Sequence, residues 1–402
     1  MRDGLTIVFL KEPGRVARRQ WQITKTPPTL RWRDEPTRAV GIPIMSELET
    51  RLIDTVTEMN ENQWNHVVEQ SDLGCLFHRY GWVQTVEEAL DVSPNHVVVS
   101  KGQNPIAVFP NVTAPVLTDP PAIPERLPDV AGRVLFRRLV STEPGTGGPI
   151  TMTDEKESLR RMFEALPSAA DSSVLYHSVI TSDPGYVRYG KHFAREGYES
   201  NLVNCRLLLD LRPDWETIKA NMHKSRRQGL RRAEDADVEV RTPELDQSVV
   251  RETYKAYVSN MERIDGEVLP YEFFDGLYES MPNRLAVFVA ERDGMELGRY
   301  LCLLDDERSA VHYYFAGIPT EDVLKFYPSE ALHAAAIQWA QDRNYDYYDF
   351  GGSGSDFTDG VFRFKSRFGA KAVPSLMWQK GYSSVGWPVF KQLRDVYRKY
   401  AY

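Results

Sequence analysis

The sequence predicts an α/β protein with mixed sheets, built as two domains of similar construction. Three observations carry that expectation. The chain has 402 residues, more than one ordinary hydrophobic core accommodates. Each half contains a glycine-turned hairpin, which makes an antiparallel strand pair. Each half also contains a helix that ends in a small turn with a tyrosine and leads into a strand, the pattern of a helical crossover between parallel strands.

The elements follow in order. Residues 1–44 are Arg-rich, contain Pro27-Pro28 and show no sustained period. They read as an N-terminal extension, either a disordered basic arm or the region upstream of a natural start at Met45. From Glu47 the pattern becomes globular. Met59–Glu69 reads as a helix, followed by the aromatic segment Phe77-His78-Arg79-Tyr80-Gly81-Trp82 and a helix to Leu90. His96–Ser100 and Ile106–Phe109 form a hairpin around Lys101-Gly102-Gln103-Asn104. Pro110 to Pro128 reads as a loop, and Glu143 to Pro149 as a turn-rich break. Residues 154–168 read as a helix and Ser173–Ile180 as a strand. A helix over Val187–Glu196 then leads through Gly197-Tyr198 into strand Asn204–Leu211.

The second half repeats this grammar. Helix Trp215–Ala233 precedes strand Val238–Val240 and helix Gln247–Ser259. Arg284–Ala290 and Arg299–Leu304 form a hairpin around Asp293-Gly294, and strand Ala310–Phe315 follows. Helix Ser329–Asp342 leads through Asn344-Tyr345 into strand Tyr347–Phe350. The first domain is therefore placed at 45–200 and the second at 201–380. Residues 381–402 are expected to carry a C-terminal helix, 386–400, that packs back on the first domain.

Composition narrows the function. Apolar residues make up 42% of the chain and charged residues 26%, as in soluble proteins. No apolar run approaches the roughly 18–20 residues of a membrane span. The formal charge is 49 − 57 = −8, which argues against nonspecific binding to DNA. Cys75, Cys205 and Cys302 lie far apart without paired spacing, so a reduced cytoplasm and no structural zinc are expected. The eight histidines are scattered, which gives no metal motif.

Two segments carry candidate chemistry. In helix 215–233, Trp215, Ile218 and Met222 share one face. Lys219, His223, Lys224, Arg226, Arg227, Arg231 and Arg232 crowd the remainder. That density reads equally as a solvated face balanced by Glu234, Asp235 and Asp237, or as a phosphate-binding surface for a polyphosphate, coenzyme A or an RNA 3′ end. In residues 348–369, Asp349 stands just before Gly351-Gly352, at the end of a strand, where ligands of α/β sheets commonly sit. Lys365 lies among Phe362, Phe364 and Phe368. The residues alone favour a Gly-rich loop followed by an amphipathic strand whose lysine snorkels to water. The alternative is a partly desolvated cation facing a developing negative charge. Gly351–Ser355 misses the G-x-S-x-G nucleophile elbow, and no G-x-x-x-x-G-K-[ST] phosphate loop occurs.

The run Lys224-Ser225-Arg226-Arg227-Gln228-Gly229-Leu230-Arg231-Arg232-Ala233-Glu234, then Tyr345–Gly352, then Phe362–Gly369, resembles the FemAB-like aminoacyltransferases. The likeness is good over about 208–372 and thinner over 45–200. It implies two tandem domains of the acetyltransferase (GNAT) fold. It also implies N-acyl transfer from an activated donor, aminoacyl-tRNA foremost, to an amine, with a cell-envelope precursor as one acceptor. Phe364 and Lys365 match the family's Phe-Lys pair near the tRNA 3′ adenosine, which makes Lys365 the cation at the oxyanion. Lys224, Arg226, Arg227, Gly351 and Gly352 are the other candidate donor-binding residues. Asp349 is the second candidate catalytic residue. Tyr313 and Tyr314 are candidates on the acceptor side, although adjacent strand residues ordinarily face opposite ways. The acyl donor is a substrate, so no cofactor is expected.

An acetyl-coenzyme A-dependent N-acetyltransferase is the first alternative. Against it, the loop Gly317–Ser329 lacks the glycine pattern that cradles a pyrophosphate and carries Glu321 and Asp322. A non-catalytic binding module of the same fold is the second.

Overall fold

The computed structural model describes residues 48–116, 137–170, 172–354 and 358–392. The expected arm 1–44, most of the Pro-rich passage and the end of the C-terminal helix lie outside them.

The first half begins with β1 (Leu48–Ile53), α1 (Glu61–Gln70) and α2 (Tyr80–Ala89). The Asn60 side chain accepts the Gln63 N–H and so caps α1, whose Trp64, Val67 and Val68 form one buried face. Next come β2 (Ser93–Pro94), β3 (His96–Lys101), β4 (Asn104–Phe109), β5 (Val112–Pro115), β6 (Arg137–Ser141) and β7 (Ile150–Thr151). Helix α3 (Glu155–Ala169), β8 (Val174–Thr181), the short α4 (Gly190–Arg195) and β9 (Glu199–Asp210) follow. The hairpin expected from residues 96–109 forms, with Val97 opposite Phe109 and Val98 opposite Val108. It lies inside a four-stranded sheet of order β1-β3-β4-β7.

The second half contains α5 (Trp215–Asn221), α6 (Lys224–Asp235), β10 (Glu239–Arg241), α7 (Gln247–Arg263) and α8 (Tyr271–Ser280). It continues with β11 (Leu285–Arg292), β12 (Met295–Asp305), β13 (Ala310–Gly317), α9 (Pro328–Asp342), β14 (Tyr347–Ser353), α10 (Gly360–Ser366) and β15 (Lys371–Gly381). An eleven-stranded mixed sheet of order β10-β11-β12-β13-β14-β9-β15-β8-β6-β5-β2 links the halves. Strand β15 makes that link, because it pairs antiparallel with β9 on one edge and with β8 on the other. Residue 200, the expected domain boundary, lies within β9.

Three buried clusters hold these layers. The first gathers Trp64, Phe109, Phe163 and Phe193. The second gathers Leu207, Ile218, Phe288, Tyr348, Phe350 and Phe368. The third joins α2 of the first half to α7, α8 and the far face of β11–β13 through Phe77, Trp82, Phe273, Phe274 and Phe315. Trp82 meets Phe77, Phe273 and Tyr314 edge-on at centroid distances of 4.9, 5.5 and 5.7 Å. Such pairs are favourable beyond the area they bury.

Four expectations are corrected. The helix expected over 215–233 is two helices, broken at Met222-His223, where the His223 N–H donates to Arg367 O and the His223 side chain caps α6. The strand expected over 362–369 is a helix followed by a turn. Asp359 caps it by accepting the Val361 and Phe362 amides, and the Phe364 and Phe368 rings, four positions apart, meet edge-on. The strand expected to end at Phe350 runs to Ser353. Strand β5 occupies part of the passage expected to be a loop. Helix α8 and strand β15 have no counterpart among the expected elements. Residues 386–392 are helical, and the Trp387 and Phe390 rings lie 4.8 and 5.4 Å from that of Tyr176 on β8.

Candidate active site

The sheet opens where β13 and β14 part. They pair in parallel only at Ala310–Tyr347, Val311–Tyr348 and His312–Asp349. Past that point β14 pairs only with β9, through a bulge between Asp349 and Gly352. Bulges often re-aim groups next to active sites. Gly351 occupies the left-handed region here (φ 75°), which a residue with a side chain adopts with strain. The Gly351 N–H donates to Asp349 Oδ1 at 2.7 Å, which closes the turn.

Helix α10 brings Lys365 to this turn. Its Nζ donates to Gly352 O at 2.7 Å and lies 5.8 Å from the centre of the Tyr313 ring. Burial lowers the Lys365 pKa to about 8, with Asp349 acting in the opposite direction. Lys365 is thus a partly desolvated ammonium at neutral pH. Phe364, its neighbour, is half-buried against His333 and Phe368. The Arg226 guanidinium covers the Phe364 ring at 4.5 Å.

Asp349 is buried and fully engaged. Besides the Gly351 amide, it accepts Arg206 Nε at 2.6 Å, and His312 Nδ1 lies 3.3 Å away. His312 Nε2 lies 3.2 Å from Asp305 Oδ2. Burial opposes ionisation of Asp349, but Arg206 and His312 outweigh it and hold the carboxyl well below the usual range. Burial likewise opposes charge on His312, and the two aspartates more than offset it.

The basic segment divides. Arg226 pairs with Glu330 at 2.6 Å, in the first turn of α9. Burial pushes the Glu330 carboxyl up, and Arg226 acts against that. Gly229 permits this contact, since a Cβ there would lie 2.8 Å from Glu330 Oε1 and 2.9 Å from its Cγ. Gly229→Ala is accordingly expected to cost about 1–3 kcal/mol of stability by overpacking, read by denaturant unfolding. Arg227 Nη1 donates to Ala220 O at 3.0 Å and also to Met222 O, and so caps α5. Lys224 stands exposed at the start of α6. Of the three, Lys224 and Arg227 are exposed, Arg227 with its guanidinium on the carbonyls that end α5, and Arg226 is half-buried beside Phe364.

Tyr313 and Tyr314 part as strand neighbours do. Tyr313 packs with Tyr300 and His333 beside Lys365. Tyr314 is the extra residue of a bulge against β12, and it turns with Phe315 to the third core, where its hydroxyl donates to Pro144 O. Lys365, Gly351, Gly352, Phe364 and Tyr313 therefore come together, with Asp349 behind them. Tyr314 stands apart.

Arg206, His312, Asp305 and His333 were not anticipated. Arg206 and Asp349 lie 143 positions apart, and only strand pairing joins them. His333 could have been noticed, since it shares a helical face with Ala336, Ile337 and Ala340. A cavity of about 570 Å³ lies beside this charged group, walled by Cys75, Phe77, Thr146, Arg206, His312 and Asp349 among others. No helix among the described residues is long and apolar enough to cross a membrane.

Comparison with known proteins adds the following. The acetyltransferase (GNAT) domain model matches residues 220–366. A UDP-N-acetylmuramoylpentapeptide-lysine N(6)-alanyltransferase from Weissella viridescens is 30% identical over 242 residues, covering 55% of this chain and 69% of that protein. Among solved structures, FemX superposes with a TM-score of 0.62 at 11% identity, over 86% of this chain and 99% of that one. L-PGS from Bacillus licheniformis superposes with a TM-score of 0.51 at 11% identity, over 82% and 94%. At such identities the two structures speak for the fold, which is the mixed α/β, GNAT-like fold expected.

Proposed function

As the chain belongs to the FemAB-like aminoacyltransferases, we propose that it moves an aminoacyl group from aminoacyl-tRNA to an amine of a cell-envelope precursor, with Lys365 facing the oxyanion. The observation that carries this reading is the Lys365 ammonium, partly buried and hydrogen-bonded to Gly352 O where β13 and β14 part. A fixed, desolvated cation at that place stabilises charge that develops during the reaction more than it would in water.

The steps follow from the chemistry of the ester. The acceptor nitrogen attacks the ester carbonyl carbon and a C–N bond forms. The carbonyl oxygen takes the electron pair and meets the Lys365 ammonium. Collapse of the tetrahedral intermediate breaks the C–O bond, and the leaving ribose hydroxyl recovers a proton as the nitrogen loses one. No covalent enzyme intermediate is required. Asp349 is a poor proton acceptor in this scheme, because its pKa is held low and its oxygens already accept internal donors. The wall-precursor acceptor is taken from the alanyltransferase relative.

One observation favours aminoacyl-tRNA over coenzyme A. The first turn of α9, where a pyrophosphate would sit, holds the buried Glu330 carboxyl and begins with Pro328, which has no amide proton to offer. Lys224 on α6 and Arg363 on α10 are exposed cations on the helices that bring Arg226 and Lys365 to the site, as suits a phosphate-bearing donor of either kind. A thermal-shift series with an aminoacyl-adenosine analogue, coenzyme A and acetyl-coenzyme A tests the donor. Stabilisation by the aminoacyl-adenosine analogue alone is expected, and stabilisation by either coenzyme A species alone would reassign the donor.

A further inference from the structure

We infer that Asp349 is a positioning residue of the transfer site: through the Gly351 amide and the Gly352 carbonyl, it sets where the Lys365 ammonium sits. The inference rests on the reading of Lys365 given above, and it adds the part that places that cation.

The geometry forms one short chain of contacts. Asp349 Oδ1 accepts the Gly351 N–H at 2.7 Å. That bond holds Gly351 at φ 75° and keeps the one-residue bulge of β14 in place. The bulge aims the next carbonyl, that of Gly352, at Lys365 Nζ, 2.7 Å away. A Cβ on Gly351 would make only ordinary contacts, 3.4 Å from Tyr313 O and 3.9 Å from Lys365 Nζ, so it is the positive φ that an alanine there would strain. The second Asp349 oxygen is anchored by Arg206 Nε at 2.6 Å and faces His312 Nδ1 at 3.3 Å. His312 is held in turn by Asp305. The carboxylate therefore stands between a charged, buried anchor and the backbone turn that carries the ammonium.

This arrangement gives Asp349 two separable effects on Lys365. Its charge favours the ammonium form, as does that of Asp359, while burial and Arg206 disfavour it, with Cys205 also in reach. The neutral, buried His333 and the cation of Arg226 lie on the Phe364 side. The hydrogen bond to Gly351, by contrast, acts on position alone. An asparagine at 349 keeps a carbonyl for the Gly351 amide and removes the charge. An alanine at 351 keeps the charge and disturbs the turn.

The test is the ionisation midpoint of Lys365 in the full-length protein, followed by NMR of lysine labelled at Cε and Nζ. The signal is assigned by its absence in Lys365→Ala. In Asp349→Asn the midpoint is expected to fall by about one pH unit, the size expected for losing a nearby opposite charge. In Gly351→Ala it is expected to rise toward the ordinary lysine value, because the released ammonium turns to water. In folded Asp349→Ala, which loses the bond to the Gly351 amide as well as the charge, the midpoint is expected to lie above that of Asp349→Asn, and the same midpoint in both variants overturns the inference. If either Asp349 variant does not fold, Gly351→Ala tests the turn through which Asp349 acts, and an unmoved midpoint there has the same consequence. These readouts need no substrate. Full transfer activity in Lys365→Ala would remove the oxyanion role while leaving the NMR result standing, so the two failures are distinguishable.

Discussion

Lys365→Ala is expected to lower acyl transfer by at least tenfold, with little change in melting temperature. Lys365 reaches the site from the last turn of the short helix α10, where it donates a hydrogen bond to the Gly352 carbonyl. Its removal therefore takes away a cation without opening a core. Loss of one oxyanion donor in other acyl transfers corresponds to about 3–4 kcal/mol of barrier, which sets the upper end of the effect. Single-turnover transfer from alanyl-tRNA to a UDP-linked muramoyl pentapeptide, the acceptor type named for the Weissella relative, measures it. Unchanged turnover would sink the assignment of Lys365 to the oxyanion. The same experiment has a pH dependence with a definite sign. The Lys365 pKa is lowered to about 8, so the ammonium is present below that pH and lost above it. The rate is expected to fall as pH rises through about 8 in the unsubstituted protein, and that fall should be missing from whatever activity Lys365→Ala retains.

Arg206→Met carries the second large effect, on stability. Arg206 and Asp349 are both largely buried, with side-chain exposures of 12% and 4%. Removing the guanidinium leaves Asp349 facing only His312 and the Gly351 amide. A buried pair broken on one side costs about 3–5 kcal/mol, and His312 should hold the loss to the lower end of that range. The sign of the pH dependence follows from the ionisation of Asp349. In the intact protein its folded pKa lies below the unfolded value, so its stabilisation is present at neutral pH and declines on acidification. In Arg206→Met, burial raises that pKa, and protonation of the folded state relieves the strain. The deficit against the unsubstituted protein, measured by urea unfolding, is therefore expected to shrink between neutral pH and pH 4. A deficit that does not change with pH would mean that Arg206 contributes by packing and not by charge.

Much of the fold was legible because local patterns agreed with the tertiary result. The 96–109 hairpin, the α9 helix and the β13 and β14 strands all carry their period and their turn residues within a dozen positions. The misreadings have identifiable causes. Phe362 and Phe364 alternate like a strand, but Asp359 as a cap and the Phe364–Phe368 spacing favour a helix once both rings can pack on Arg226 and His333. The helix over 215–233 keeps one apolar stripe across its break, so periodicity could not show that His223 leaves the helix to meet Arg367. Strand β15 has buried positions that do not alternate regularly, and its register against β9 shifts between Ser375 and Leu376, so no period of two marks it in the sequence.

The candidate site divides in the same way. Lys365, Phe364, Gly351 and Gly352 could be named from the sequence, because a family resemblance attaches to short contiguous runs. Their role as a group, and the engagement of Arg226 and Arg227 elsewhere, could not. The sequence by itself determined the α/β class, the doubled element order and the segment that holds the lysine, since each depends on contacts within a few residues. Only the tertiary structure decided that Asp349 meets Arg206 from a strand 143 positions away. It alone brought β13 and β14 together for three residue pairs and then parted them. The physical reason is that ion pairing, strand register and desolvation depend on which distant segments share a face, and no local period records that.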